Sequence, residues 1–348
     1  MSVSSRAFSA LAIAAGLVAA GTSQAQSSLT VISFGGVNQQ AQIKAFYEPF
    51  TKSTQIQLVK GEYNGEQAKV KAMVEAKQVS WDVVEVESPE LARGCEEGVY
   101  EKLDYSKIGN KKDFLPAAVT ECGFGFFVWS TVMAYNADKL KTAPVTWADF
   151  WDVKKFPGKR GMRKGAKYTL EFALMADGVA PNDVYKVLGT KAGVDRAFKK
   201  LDQLKANIQW WEAGAQPPQL LASGDVVMST AFNGRIAGAQ KEGKNLKIVW
   251  TGNIYDIEAY AIPKGAPKRD LSYKFLAALA KPENQKVFSG EIPYGPTHLK
   301  AMGQIEPTLA ATLPTAPANM KTAIATNTAF WVEHGEDLEQ RFHAWAAK

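Results

Sequence analysis

The chain has 348 residues, 46% of them hydrophobic, and a formal net charge of +6. This length suits one large domain or two lobes of ordinary size, with enough apolar residues for a core. The basic residues are scattered, and their densest cluster, residues 154–167, has only Phe156 and Tyr168 as aromatic neighbours, which argues against nucleic-acid binding.

In chain order, the first feature is a leader. Arg6 is the only charge before Lys44, residues 8–20 are apolar and Ala-rich, and Ser23 and Ala25 are small. A positive start, a short apolar core and a small-residue exit make a secretory signal over residues 1–25, cleaved after Ala25, with delivery to the periplasm. The core is too short to anchor the chain in a bilayer. Losing Arg6 lowers the charge from +6 to +5.

Residues 29–34 form a β-branched run that stops at Gly35-Gly36 and reads as a strand. Residues 41–51 place Ile43, Phe46, Tyr47 and Phe50 at helical spacing. A strand over 56–59, a helix over 67–76, a strand over 81–86 and a helical segment through Cys95 follow. This alternation implies parallel βαβ units, whose ligands sit beyond the carboxyl ends of the strands. Phe34 and Glu87 then point at one crevice.

The middle repeats the pattern. Residues 126–135 read as a strand, and Thr146 with Asp149 forms a helix N-cap pair. Helices are expected over 168–176 and 183–204, a strand over 226–231, and a helix over 234–243 stopped by Gly243. Separate strands are expected over 248–250 and 259–262, then helices over 271–279 and 326–347, the last packing through Trp331, Phe342 and Trp345. No linker separates the two sets, so the chain is expected to cross between two lobes in strands. Such a hinge permits rigid-lobe closure.

Cys95 and Cys122, an even pair in an exported chain, read as a disulfide. The dispersed His298, His334 and His343 offer no metal site, and no cofactor is expected. Neither G-x-S-x-G nor H-E-x-x-H occurs. Gly123-Phe-Gly125 starts like a dinucleotide loop, but Val128 stands where the third glycine belongs; Asn245 stands where a phosphate loop after Gly243-Lys244 needs Ser or Thr. A binding protein is expected rather than an enzyme.

An ordered set of motifs resembles the periplasmic polyamine-binding proteins of ABC importers, the spermidine/putrescine type. The set includes Ile32-Ser-Phe34, Trp81-Asp82-Val-Val84 before Glu87-Ser88, and Trp129-Ser-Thr131 with Tyr135-Asn136. Phe232-Asn-Gly234, Glu258-Ala-Tyr-Ala-Ile262-Pro263 and Tyr294-Gly-Pro296-Thr297 follow in the same order. The resemblance implies an α/β type II periplasmic-binding-protein clamshell, two βαβ lobes joined by crossing strands. Lobe one would comprise 26–133 and 259–310, lobe two 134–258, and a C-terminal helical segment, 311–348, would pack on both. The crossings would fall near 129–136 and 255–262.

The resemblance also implies an aromatic box around the ligand's methylenes and carboxylates for its ammonium, because a desolvated ammonium needs acceptors or a π face. The implied ligand-binding set is Phe34, Glu87, Ser88, Trp129, Tyr168, Trp211, Phe232, Arg235, Asp256, Glu258 and Tyr294, with Trp210 and Tyr255 as further aromatic candidates. Glu258 is the implied amine anchor. The chain departs from the family at Pro89, Glu87, Gly165 and Tyr168, and places Arg235 where a small residue is usual. An Arg facing the cleft repels a polyamine and suits a carboxylate held by two parallel hydrogen bonds. The ligand is then a polyamine or an ω-amino acid such as γ-aminobutyrate, and the partners are that solute and an ABC permease, with the protein a monomer. The alternatives are a binder of another small anion or zwitterion and a secreted hydrolase using Glu87 and Glu258.

Overall fold

The computed structural model describes residues 28–348. The leader expected over 1–25 lies outside the described residues. Among those described, ten strands form one sheet: β1 (Ser28–Ser33), β2 (Gln57–Glu62), β3 (Val83–Val86), β4 (Gly123–Asn136) and β5 (Arg160–Arg163), then β6 (Ile208–Trp211), β7 (Met228–Phe232), β8 (Leu246–Ala261), β9 (Gly295–Pro296) and β10 (Ile324–Ala325). The order across it is β2-β1-β3-β8-β4-β7-β5-β6, with β9 on β4 and β10 on β8.

Each end of this path is a parallel group, β1 with β2 and β3 in one lobe and β5 with β6 and β7 in the other. Between them β4 and β8 run antiparallel from Gly123↔Ala261 to Asn136↔Leu246. One end of this long pair bonds to β3, the other to β7. The two strands therefore belong to both lobes and form the expected crossings of a periplasmic-binding-protein fold.

The expectation of two strands over 248–250 and 259–262 is corrected: β8 is one strand of 16 residues. Asn253, Asp256 and Glu258 break the apolar run in sequence, yet all three are buried. The register jumps from Thr131↔Ile254 to Met133↔Val249, so β8 carries extra residues at the crossing. Asn253 fills the bulge. It accepts from Ser130 Oγ (2.9 Å) and donates to the carbonyls of Trp250 (2.7 Å) and Asn319 (2.8 Å).

A second correction concerns 183–204. The helix breaks into Val184–Leu188 and Lys191–Asp202, where Thr190 accepts from Gly193 N (3.0 Å) and starts the second piece. Strands β5 and β6 were not legible. Arg160 opens β5 yet is fully buried, donating to the carbonyls of Phe150 (2.7 Å), Phe156 (2.7 Å) and Gly158 (2.6 Å). The Thr146–Asp149 capping box forms as expected.

β10 makes a third passage, running parallel along Ile254 and Tyr255. It delivers the helix Thr328–Ala346 to both lobes. Arg93 of lobe one donates to the Trp331 carbonyl (2.7 Å). On lobe two, Glu339 accepts from the backbone N–H groups of Ala166 (2.9 Å) and Lys167 (3.2 Å), and Trp345 donates to Asp202 (2.7 Å).

The expected disulfide is present: Cys95 and Cys122 are joined, with Cα atoms 5.7 Å apart, tying the helix Ser88–Glu96 to the root of β4. The bridge spans a sequence separation of 27 residues. Replacing both cysteines with Ser should therefore cost about 3–4 kcal/mol on the chain-entropy account. The check is the urea midpoint, which should fall and match that of the reduced native chain, with a higher m value because the unfolded chain is less compact.

Candidate ligand-binding site

Where the two lobes meet at the β4–β8 crossing, a cavity is lined from both sides. Lobe one supplies Phe34, Asn38, Glu85, Glu87 and Tyr294; lobe two supplies Arg163, Glu212, Phe232 and Arg235; β4 and β8 add Phe127, Trp129 and Glu258. The strand period explains the carboxylates. Val84 and Val86 point into one apolar cluster, so Glu85 and the following Glu87 emerge on the opposite face. Glu258 pairs with Phe127 across β4 and lies one step beyond the Val86↔Ala259 pair, beside Glu87.

The aromatic wall is interlocked. Tyr294 stacks on Phe127 with ring centres 4.7 Å apart and planes 3° off parallel. Phe232 meets the Trp129 ring edge-on at 5.0 Å. Gly234, at the start of the helix Asn233–Lys241, leaves room for Tyr294, since a Cβ there would lie 2.6 Å from its ring.

Three buried carboxylates line the cavity in three electrostatic states. Glu85 accepts from Asn38 Nδ2 (2.8 Å), Gln42 Nε2 (3.0 Å) and Phe34 N (3.1 Å), while burial pushes its pKa up. Glu87 is ion-paired across the lobes with Arg163 (3.1 Å) and Lys167 (2.6 Å). Burial alone would raise its pKa, but these two cations pull it down to about 2. Glu258 has neither remedy. Its Oε1 is buried without a hydrogen-bond partner, and burial, then Glu85 and Glu87, push its pKa well above the carboxylate range.

Other polar atoms at the wall are also unpartnered. Asn38 Oδ1 is an acceptor without a donor; Trp129 Nε1 and Arg235 Nε are donors without acceptors. Buried polar groups in proteins are normally satisfied, so this wall has both acceptors and donors to offer to whatever fills the cavity.

The structure brings Phe34, Glu87, Trp129, Phe232, Arg235, Glu258 and Tyr294 to the cavity. It does not bring the other four expected residues there. Tyr168 backs Trp129 edge-on at 5.8 Å, and Trp211 backs Phe232 at 5.6 Å. Ser88 donates to Asp256 (2.5 Å) behind the wall, and that carboxyl, pushed up to about 7 by burial, also meets Ile257 N (2.7 Å). Trp210 packs instead against Phe342 and Trp345, and Tyr255 lines a separate space with Ser88, Asp256 and Thr326. The expected two-pronged use of Arg235 is altered: Nη1 donates to the Gly35 carbonyl (2.8 Å) and Nη2 to that of Phe34 (3.1 Å). Gly35 and Gly36 have φ of 62° and 57°, and this left-handed turn opens the space beneath the guanidinium.

Sequence reasoning missed Arg163, Lys167 and Glu85. Glu85 was hidden as a charge inside an apolar strand, and its alternation with Glu87 was the available signal. Arg163 and Lys167 looked like solvated members of the basic cluster.

Two lobes joined by crossing strands around a charged aromatic cavity define a solute-binding protein. A family model described as bacterial extracellular solute-binding protein matches residues 41–320, and the chain belongs to that family. The gamma-aminobutyric acid-binding protein of Pseudomonas aeruginosa is 61% identical over 334 residues, 96% of this chain and 95% of that one. The spermidine/putrescine-binding periplasmic protein of Escherichia coli is 23% identical over 273 residues, 76% of each chain. Among solved structures, the agropinic acid complex of the Agrobacterium tumefaciens binding protein AgtB is 34% identical with a TM-score of 0.86, covering 92% of this chain and 99% of that one. A GABA receptor structure is 34% identical with a TM-score of 0.81, covering 92% and 98%.

The buried carboxylates give stability two opposed pH limbs. Glu87, depressed from 4.5 to about 2, contributes stability that is complete above its unfolded pKa and is lost as pH falls through that interval. Asp256, raised from 3.8 to about 7, makes the fold bind the extra proton, so stability declines as pH rises across that range. Urea midpoints measured against pH should show the acid limb flattened in Glu87→Gln. In Asp256→Asn the decline toward neutral pH should be flattened.

Proposed function

We propose that this chain is the periplasmic substrate-binding component of an ABC importer and captures an ω-amino acid of the γ-aminobutyrate type. In this reading the leader is removed after Ala25, the lobes close on the solute, and the closed monomer hands it to a membrane permease. The relatives of known ligand and the sequence signal support the setting. The observation that carries the ligand class is the wall with unpartnered acceptors and donors around one aromatic cavity.

Glu258 receives the ammonium, with Asn38 Oδ1 as a second acceptor. The methylenes lie between Phe34, Phe127, Trp129, Phe232 and Tyr294. Arg235 Nε and Trp129 Nε1 receive the carboxylate, with Arg163 adding positive charge at the wall. Tyr168, Trp211, Ser88 and Asp256 hold the first layer in place from behind.

Calorimetry with purified protein tests the assignment. γ-Aminobutyrate should bind more tightly than putrescine; the reverse order rejects the zwitterion. Glu258→Gln should weaken γ-aminobutyrate about 100-fold, the scale of truncating a desolvated charge pair. Arg235→Ala should weaken γ-aminobutyrate far more than n-butylamine, which lacks the carboxylate.

Because burial raises the Glu258 pKa, binding an ammonium there favours loss of its proton, so affinity should fall as pH is lowered and binding should be accompanied by proton release. Calorimetry in buffers of different ionisation enthalpy reads that release directly.

A further inference from the structure

Lys167 lies in surroundings that would bind a ligand ammonium. Its Nζ is 2.6 Å from Glu87 Oε2 and 2.6 and 2.7 Å from the two oxygens of Glu90. It also lies 5.6 Å from the centre of the Tyr168 ring. The side chain is only 9% exposed. Carboxylates and a π face around a desolvated cation are the elements of an amine site.

The position of this cage matters. Glu87 is shared: it lines the ligand cavity and also holds Lys167. Beyond it, a second space of about 440 Å3 is lined by Glu90, Lys167, Glu339 and His343, and Arg163, Glu212 and Asn64 line both spaces. The backbone that presents the cage is constrained, since Tyr168 has φ of 70°, a left-handed value unusual for an aromatic residue. The preceding Lys167 is fixed by its own N–H, which donates to Glu339.

The charge count across the cleft follows. Glu87 and Glu90 face Arg163 and Lys167, two against two, so this side of the cavity is internally neutral. Glu85 is held by neutral donors, and Glu258 remains as a wall carboxylate with no cation paired to it and with Oε1 unpartnered.

We infer that Lys167 is a specificity-determining residue: its side chain fills an ammonium subsite between Glu87, Glu90 and Tyr168 and so prevents a diamine from using that subsite as the anchor for its second end. The selectivity consequence rests on the zwitterion reading above; the subsite itself does not. A guest with one ammonium meets Glu258 alone. A guest with two finds its second anchor occupied by the chain.

The experiment is chemical rescue of Lys167→Ala. Removing the side chain leaves two carboxylates facing Arg163, so the thermal midpoint should fall. Methylammonium chloride should restore it more than equal sodium chloride or tetramethylammonium chloride, and should leave the native protein unaffected. By calorimetry, putrescine should bind Lys167→Ala at least tenfold more tightly than it binds the native chain.

A folded Lys167→Ala with no methylammonium-specific response overturns the subsite. Rescue without the gain in putrescine affinity overturns the selectivity role. If the variant does not fold in sodium buffer, refolding from urea in methylammonium against sodium reads the same effect, and no specific recovery overturns the proposal. If γ-aminobutyrate fails to bind the native protein while methylammonium still rescues the variant, the proposed ligand falls and the subsite stands.

Discussion

The antiparallel pairing of β4 with β8 is the interaction on which the remaining structure depends. It is the only ladder among the described residues that continues from one lobe into the other, and both parallel groups attach to its flanks. The same strands carry Phe127, Trp129 and Glu258 at the cavity wall. Hinge and site are therefore one element. A change of angle at the register jump between Thr131 and Met133 moves the floor of the cavity as well as its sides.

Burying charge here costs free energy that the fold offsets by three different means. Glu85 is surrounded by neutral donors from its own lobe, which lets it tie Phe34, Asn38 and Gln42 into a rigid corner. Glu87 is paired by cations from the opposite lobe. Glu258 Oε1 has neither kind of partner, and burial raises its pKa instead. Arg235 mirrors this division, with its two terminal nitrogens bound to the backbone of lobe one and Nε unpartnered. Contacts that hold the lobes together and unpartnered groups at the cavity wall are interleaved on the same few residues, so binding in the cavity and closure of the lobes would be thermodynamically linked.

Much of this was legible in the sequence because it is local. Parallel βαβ alternation, the Thr146–Asp149 cap, the cysteine pair and the aromatic positions each depend on residue types at short spacing. The clamshell and most of the cavity wall followed from motifs in order. What escaped depends on partners far away in the chain. β8 read as two strands because nothing local announces that Asn253 will bond Ser130 and Asn319. Arg160 and Lys167 read as surface cations because the carbonyls and carboxylates that hold them lie elsewhere. Ser88 and Asp256 were placed at the ligand, whereas they bond each other behind the wall.

The passage of β10 and the helix Thr328–Ala346 has a mechanical consequence. Two adjacent strands alone form a ribbon that can bend and also shear. A third strand alongside β8, followed by a helix fastened to Arg93 in one lobe and to Lys167, Asp202 and Trp210 in the other, broadens the ribbon into a strip. A wider strip resists bending and shear within its own plane far more than bending across it. The strip therefore favours relative motion of the lobes across its face, an opening and shutting, over sliding within its plane.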